Sequence, residues 1–263
     1  MAATTILIAN QKGGVGKTTT VLNVAAALAQ QGHTTLMVDL DPQASLTMNL
    51  GFANEENNLA GVLGITERGT KALSDIIQVV TPKLALAPGD ILLSRTELGL
   101  VVRAAREHQL QRALEPIQDR YEYILIDAPP SLGLLVINAL LAATWVIVPT
   151  QLDTVALRGL GLFIETLSEV EAEYGRCARL LGVLATMVDL RPVHARDVLT
   201  VLEQRNDLRT FAATIPRSIR FSEAIAAKQS LVDYEPPHPG SLAYTMLAQE
   251  IIGRVTEKTS IVG

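Results

Sequence analysis

The sequence predicts an α/β fold: a mainly parallel, twisted sheet with helices on both faces. Three observations carry this. Short apolar runs of strand length alternate with helix-length stretches along the chain. The first run, residues 6–9, enters a glycine-rich turn that opens a helix. Two later runs end in aspartate, at Asp39 and Asp127, and the carboxyl ends of parallel strands are where such sheets bind ligands.

Taken in order, Ile6-Leu7-Ile8-Ala9 reads as a buried strand and residues 21–29 as the first helix. Between them stands Asn10-Gln11-Lys12-Gly13-Gly14-Val15-Gly16-Lys17-Thr18-Thr19. Strand, glycine turn and Gly-Lys-Thr at a helix start form a P-loop arrangement, so the fold class sharpens to a single-domain P-loop NTPase over residues 1–263. Gly13, Gly14 and Gly16 let backbone N–H groups approach a phosphate, and the helix N-terminus adds its positive dipole. Lys17 supplies a point charge for the β- and γ-phosphates, and the Thr18 hydroxyl can ligate Mg²⁺. Gln11 stands where the strict pattern wants glycine, so the loop is a variant with Lys12 near its start.

Gly32 reads as a C-terminal cap. Residues 34–38 read as the second strand, delivering Asp39-Leu40-Asp41-Pro42-Gln43. An Asp-Pro turn is the plain alternative there. Residues 51–70 read as a surface excursion with a short helix, 72–77 as another short helix, 84–87 as a strand, and 98–114 as one helix with Arg103, Arg106, Glu107 and Arg112 on a solvated face. Four apolar residues then end at Asp127, the Walker B pattern, where a carboxylate holds Mg²⁺ through water opposite Thr18. Residues 132–148 carry no charge and approach the length of a membrane span. Asn138, Thr144 and the β-rich end favour a helix over 133–142 and a strand over 145–148 ended by Pro149. A helix over 153–170 follows, with Leu157, Leu160, Phe163, Ile164 and Leu167 on one face. Then come a strand over 180–188, a helix over 191–206, a proline-rich turn over 234–240 and a closing helix over 241–255 with Leu247, Ile251 and Val255 in one stripe.

The 263 residues suit one large α/β domain, and a hydrophobic content of 48% supplies its core. A net charge of −5 excludes a generally basic coat but not a local patch. Over residues 179–220, seven arginines (179, 191, 196, 205, 209, 217, 220) face four acids (189, 197, 203, 207), a local net of +3. Phosphate-pairing cations of this kind suit DNA, though a solvated helix face explains them too. One cysteine, Cys177, excludes an intrachain disulfide and fits a reducing cytoplasm. The chain begins directly in its first strand, so no leader is expected.

Lys12-Gly13-Gly14-Val15-Gly16-Lys17-Thr18-Thr19 resembles the deviant Walker A loop of the ParA/MinD ATPases, within which the chain is most similar to the ParA/Soj partitioning proteins. Asp39 to Gln43 matches the family's D-x-D-P-Q, Asp127 to Gly133 its switch II, and residues 215–224 its I-P-R-x-x-x-x-S-E-A segment. The resemblance implies ATP and Mg²⁺ bound by the loop from Lys12 to Thr19, Val15 included. It implies an ATP-sandwiched homodimer in which Lys12 reaches the partner's phosphates. Asp41, in switch I, would orient the attacking water, with Mg²⁺ within its reach, so the expected catalytic set is Lys12, Lys17 and Asp41. Met187, Pro216 and Ser218 would border the adenine. Arg191 and Arg220, with Arg196 and Arg217 as further contacts, would bind double-stranded DNA without sequence preference. A ParB-like or other cargo adaptor would stimulate slow hydrolysis, the cargo being a chromosome, a plasmid or a protein compartment such as a carboxysome. The expected location is the cytoplasm, on the nucleoid when ATP-bound, without stable membrane insertion. The sequence departs from the family after Arg191 (Pro192-Val193-His194), at Ala44-Ser45-Leu46, and at Ile225 to Lys228. A MinD-like membrane cycle finds little support in the tail Lys258-Thr259-Ser260-Ile261-Val262-Gly263. An iron–sulfur carrier would need more than Cys177. A DNA-binding scaffold without turnover is the non-enzyme alternative.

Overall fold

The computed structural model describes residues 3–52, 57–64 and 71–259. The apolar runs become strands β1 (Thr4–Ile8), β2 (Thr35–Asp39), β3 (Gln78–Thr81), β4 (Leu84–Ala87), β5 (Tyr123–Asp127), β6 (Trp145–Gln151) and β7 (Arg179–Thr186). They form one sheet in the order β3-β4-β2-β5-β1-β6-β7, parallel throughout except for the edge pair β3 and β4. The helices are α1 (Lys17–Gln30), α2 (Ser45–Asn49), α3 (Leu59–Leu63), α4 (Leu93–Leu100), α5 (Gln109–Leu114), α6 (Leu134–Ala142), α7 (Thr154–Tyr174), α8 (Val193–Gln204), α9 (Arg220–Ala226), α10 (Leu231–Tyr234) and α11 (Pro239–Thr259).

Alternate strand residues feed two separate cores, as a pleated sheet covered on both faces requires. Leu7, Leu36, Val38, Ile124, Ile126, Val146 and Val148 pack under α3 to α8. Ile6, Ile8, Met37, Leu125 and Ile147 pack on the other face, under α1, α2, α10 and α11. The apolar stripes read from the sequence point inward: Leu160, Phe163 and Leu167 of α7 are buried, as are Leu247 and Ile251 of α11. Register matters most at the carboxyl edge. Asp39 of β2 lies directly beside Asp127 of β5, and Ile8 of β1 flanks Asp127 on its other side. The chain leaves the sheet there into the glycine loop, into residues 39–43 and into the segment that follows Asp127.

Several boundaries differ from expectation, each for a tertiary reason. The single helix expected over 98–114 is broken into α4 and α5, with Ala105 at φ 49° in the break. Buried Asn138 of α6 makes the break tolerable: it accepts from the Leu110 amide at 3.1 Å and donates to the Arg106 carbonyl at 2.8 Å. β6 does not stop at Pro149 but runs on to Gln151. β1 has already ended on that side, and the Pro149 carbonyl accepts from the Asn10 side chain at 2.7 Å, so a missing N–H costs no ladder bond. Strand β3 was not read from the sequence. The expected surface excursion over 51–70 is partly outside the described residues; its expected short helix is present as α3, but Leu59, Ala60, Val62 and Leu63 of that helix are buried in the core rather than lying on the surface. The 72–77 stretch holds only a single 3-10 turn, Leu73–Asp75. Residues 132–148 do split into α6 and β6, and among the described residues no helix is long and apolar enough to cross a membrane. The tail beyond Thr259 lies outside the described residues.

Candidate nucleotide site

The loop between β1 and α1 is held from behind. The Asn10 carboxamide oxygen accepts from the Lys12 amide at 2.9 Å while its nitrogen donates to Pro149. The buried Thr186 hydroxyl, at the end of β7, donates to the Val15 carbonyl at 2.8 Å. The Gln151 amide, at the end of β6, donates to the Gly14 carbonyl at 3.2 Å. Gly14 and Gly16 sit at φ 71° and 86°, a region L side chains rarely enter. A Cβ built on Gly13, Gly14 or Gly16 would meet no protein atom within 4 Å, so the loop borders open space. Gly16 precedes α1 without a side-chain cap, which leaves the first N–H groups of Lys17, Thr18 and Thr19 available to an anion.

Lys17 is buried with its ammonium 3.4 Å from the Lys12 carbonyl. Burial lowers its pKa against the pull of Asp127 and Asp41. Asp127 is fully buried; neither of its carboxylate oxygens makes a well-formed hydrogen bond, and the Thr18 side chain is the one that approaches it as a donor. Burial, then the neighbouring Asp39, push its pKa well above the ordinary carboxylate range. Asp39 is equally buried, and burial raises it to about 6 against the hydrogen bonds it receives from Thr47. Two adjacent buried carboxyls with three oxygens that make no well-formed hydrogen bond are costly without a cation. Oxygen donors alone are the chemistry of Mg²⁺, which takes one or two carboxylates and completes its shell with phosphate and water. No fuller cluster of His, Cys, Asp or Glu occurs among the described residues.

Asp41 stands half-buried two residues beyond β2, its carboxylate accepting from the Gln43 amide at 2.9 Å. Lys12 is tied to residues at the end of β6 and the start of α7. Its ammonium is 2.7 Å from Asp153 and 3.1 Å from the Gln151 oxygen of its own chain. Asp153 also caps α7, accepting from the Ala156 amide at 2.7 Å through its other oxygen. Met187 takes φ 51°, and its sulfur lies 3.0 Å from the Gln151 amide, so Gln151 joins the loop, Lys12 and Met187. Pro216 meets the same corner through a bridge with Val188. The Ser218 hydroxyl is engaged by the Arg220 amide at 3.1 Å and by His238 at 3.2 Å.

The arginines expected to meet DNA are exposed, and two are ion-paired. Arg191 pairs with Asp189, whose pKa it lowers to about 2. Arg220 pairs with Glu223 and Glu235. Arg196 folds back on the Leu190 carbonyl at 2.7 Å, and Arg217 acts on Asp189 with Arg191. Arg191, Arg196 and Arg217 thus share one neighbourhood. Cys177 lies just before β7, at the opposite end of the sheet from the loop, and burial raises its thiol to about 11. Sequence reading passed over Asn10, Gln151, Asp153 and Thr186. The available signal was that β6 and β7 end beside β1, where carboxyl-end residues converge.

A family model described as an AAA domain matches residues 3–178. The chain is 39% identical to the sporulation initiation inhibitor protein Soj of Bacillus subtilis, over 94% of this chain and 97% of that one. It is 40% identical to the chromosome-partitioning ATPase Soj of Thermus thermophilus, over 96% of each. Among solved structures, a Mycobacterium smegmatis protein described as cobyrinic acid a,c-diamide synthase, with bound ATP analogue and magnesium, is similar at TM-score 0.80 and 38% identity, over 94% of this chain and 93% of that one. The Pyrococcus furiosus cell division ATPase MinD shares the fold at TM-score 0.77 and 24% identity, over 96% of this chain and 99% of that one.

Proposed function

The chain belongs to the Soj/ParA family of partitioning ATPases, and from that premise we propose that it binds ATP and Mg²⁺ in the loop from Lys12 to Thr19 and hydrolyses the nucleotide as a DNA-riding dimer. One observation carries the reading: buried carboxylate oxygens of Asp127 and Asp39 that make no well-formed hydrogen bond stand beside a glycine loop open to solvent. Bound Mg²⁺ would neutralise developing charge on the phosphates. Thr18 and Asp127, the latter through water, would hold that ion, with Asp41 as a further oxygen donor. Lys17 pairs with the β- and γ-phosphates. Its lowered pKa marks a charge kept in a poorly hydrated place, where it acts strongly on an anion. Asp41 orients the attacking water. Met187, Pro216 and Ser218 border the base.

Lys12 acts across the dimer, on the partner's phosphates, and leaves Asp153 and Gln151 to do so. Slow turnover follows from a site that is complete only when two chains close. Arg191, Arg220, Arg217 and Arg196 bind the phosphates of double-stranded DNA, exchanging their present carboxylate and carbonyl partners for it. A ParB-like or other cargo adaptor accelerates hydrolysis and resets the cycle, and the protein shuttles between cytoplasm and nucleoid.

The test is DNA binding by the wild type, Arg191→Ala and Arg220→Ala in ATP-Mg²⁺, ADP and no nucleotide, across a salt series. The expected result is binding in ATP only, falling steeply with salt and weakened in both variants, with a shallower salt slope. Absence of binding in every nucleotide state at low salt would remove the DNA step. Absence of phosphate release with DNA present would remove the enzyme.

A further inference from the structure

Asp41 sits on a loop that leaves the sheet at Asp39 and comes back to it. At the outgoing end, the Leu40 amide donates to the Asp127 carbonyl at 2.9 Å. At the returning end, Thr47 of α2 donates to one oxygen of Asp39 twice, from its amide at 2.8 Å and its hydroxyl at 2.6 Å. The hydroxyl's direction is settled by a third bond. The Gly89 amide, just after β4, donates to the Thr47 hydroxyl oxygen at 2.9 Å, so the hydroxyl hydrogen belongs to Asp39. All of this is dry: Asp39 and Thr47 are both buried. Gly89 approaches so closely that a Cβ there would lie 2.4 Å from the Asp39 carbonyl oxygen. Between the two anchors the chain turns on the Asp41 carbonyl, which accepts from Ala44 at 2.8 Å with Ala44 at φ 50°. Leu46 is fully buried on the α1 face of the sheet and seats the far side of the loop.

We propose that Thr47 is a positioning residue for Asp41: by joining Asp39 to Gly89 it closes residues 40–46 into a braced loop that aims the Asp41 carboxylate. Asp39 is two-sided in this arrangement. One oxygen holds Thr47, the other makes no well-formed hydrogen bond, and the residue lies beside Asp127 across the strand pair. The water-orienting carboxylate and the metal-side carboxylates therefore share one rigid frame. The proposal rests on the ATPase reading above, and its consequence is specific. Loss of the hydroxyl should misplace a group needed in the transition state while leaving the loop of Lys17 and its nucleotide contacts in place.

The experiment compares Thr47→Val, Thr47→Ala and Thr47→Ser with the wild type. Two readouts are taken: steady-state ATP hydrolysis, and amide hydrogen exchange of residues 41–44 in the nucleotide-free protein. Thr47→Val and Thr47→Ala should lower kcat about tenfold or more with KM for ATP within about threefold, and should speed exchange over 41–44. Thr47→Ser should return both to near wild type. The alanine variant is read in parallel, so poor packing of the valine does not decide the outcome. Unchanged kcat with unchanged exchange would overturn the proposal. So would a rise in KM alone, or a serine variant no better than valine. If the wild type itself hydrolyses no ATP, the ATPase reading fails by that result, and the exchange comparison still decides whether Thr47 braces the loop.

Discussion

At Asp153 one carboxylate serves two ends, its oxygens divided between the α7 cap and the Lys12 ammonium. Both side chains are more than a third exposed, so the ion pair itself is worth at most about 1 kcal/mol. Asp153→Asn keeps a capping oxygen and should change unfolding free energy by less than about 1 kcal/mol. Asp153→Ala also loses the cap and should cost about 1 kcal/mol more; urea titration separates the two. The catalytic assignments divide in the same way. Lys17→Ala should lose nucleotide binding or turnover, as fluorescent ATP titration would report. Asp41→Ala should keep ATP and accumulate dimer on a sizing column, and a normal hydrolysis rate in that variant would show Asp41 does not position water. The buried pair has its own pH signature. A carboxyl whose pKa is higher folded than unfolded stabilises the fold fully below its unfolded value and loses that contribution as pH rises through the folded one. For Asp39 that window runs from 3.8 to about 6. Burial, then the neighbouring Asp39, raise Asp127 in the same direction, so its ionised form costs the nucleotide-free fold stability. Asp127→Asn should raise the melting temperature of the nucleotide-free protein at pH 7.5, with the gain shrinking toward pH 5. ATP and Mg²⁺ should then stabilise the wild type more than the variant.

Among the elements, the break between α4 and α5 depends on a residue from a third helix. Asn138 of α6 bonds to Leu110, Arg106 and Leu134 in one buried place. Asn138→Ala leaves an amide and a carbonyl without partners and should destabilise the fold by about 1–3 kcal/mol, read as a shifted denaturation midpoint with unchanged slope. α6 also starts on a borrowed cap, since Glu97 of α4 accepts from the Leu135 amide at 3.1 Å. Neither cap shows in local sequence, because the capping side chain lies tens of residues away. Long, strongly periodic elements behaved otherwise. The α7 and α11 stripes, the Gly32 turn at φ 95° and the strands ending at Asp39 and Asp127 followed from pattern alone. Each of those depends on a residue's own backbone or on spacing along one element.

Over the whole molecule, the sheet order brings together what the chain keeps apart. With β1 between β5 and β6, the glycine loop meets Asp127 on one side and Gln151 on the other. β7 beyond β6 adds Thr186 and Met187. The sequence by itself determined the fold class, the glycine loop between β1 and α1, and the two strand-end aspartates. Those depend on residue type and short spacing, glycine at positive φ and a carboxylate closing an apolar run, which hold whatever surrounds them. It also marked the arginine-rich segment by charge, without saying that Asp189, Glu223 and Glu235 would hold those arginines. Only the tertiary structure decided that Asp39 lies beside Asp127, that Lys12 rests on Asp153, and that Thr47 returns to bond Asp39. Such contacts are set by sheet register and by side chains many residues apart. Their energies exist only once the strands are paired and the space between them has lost its water.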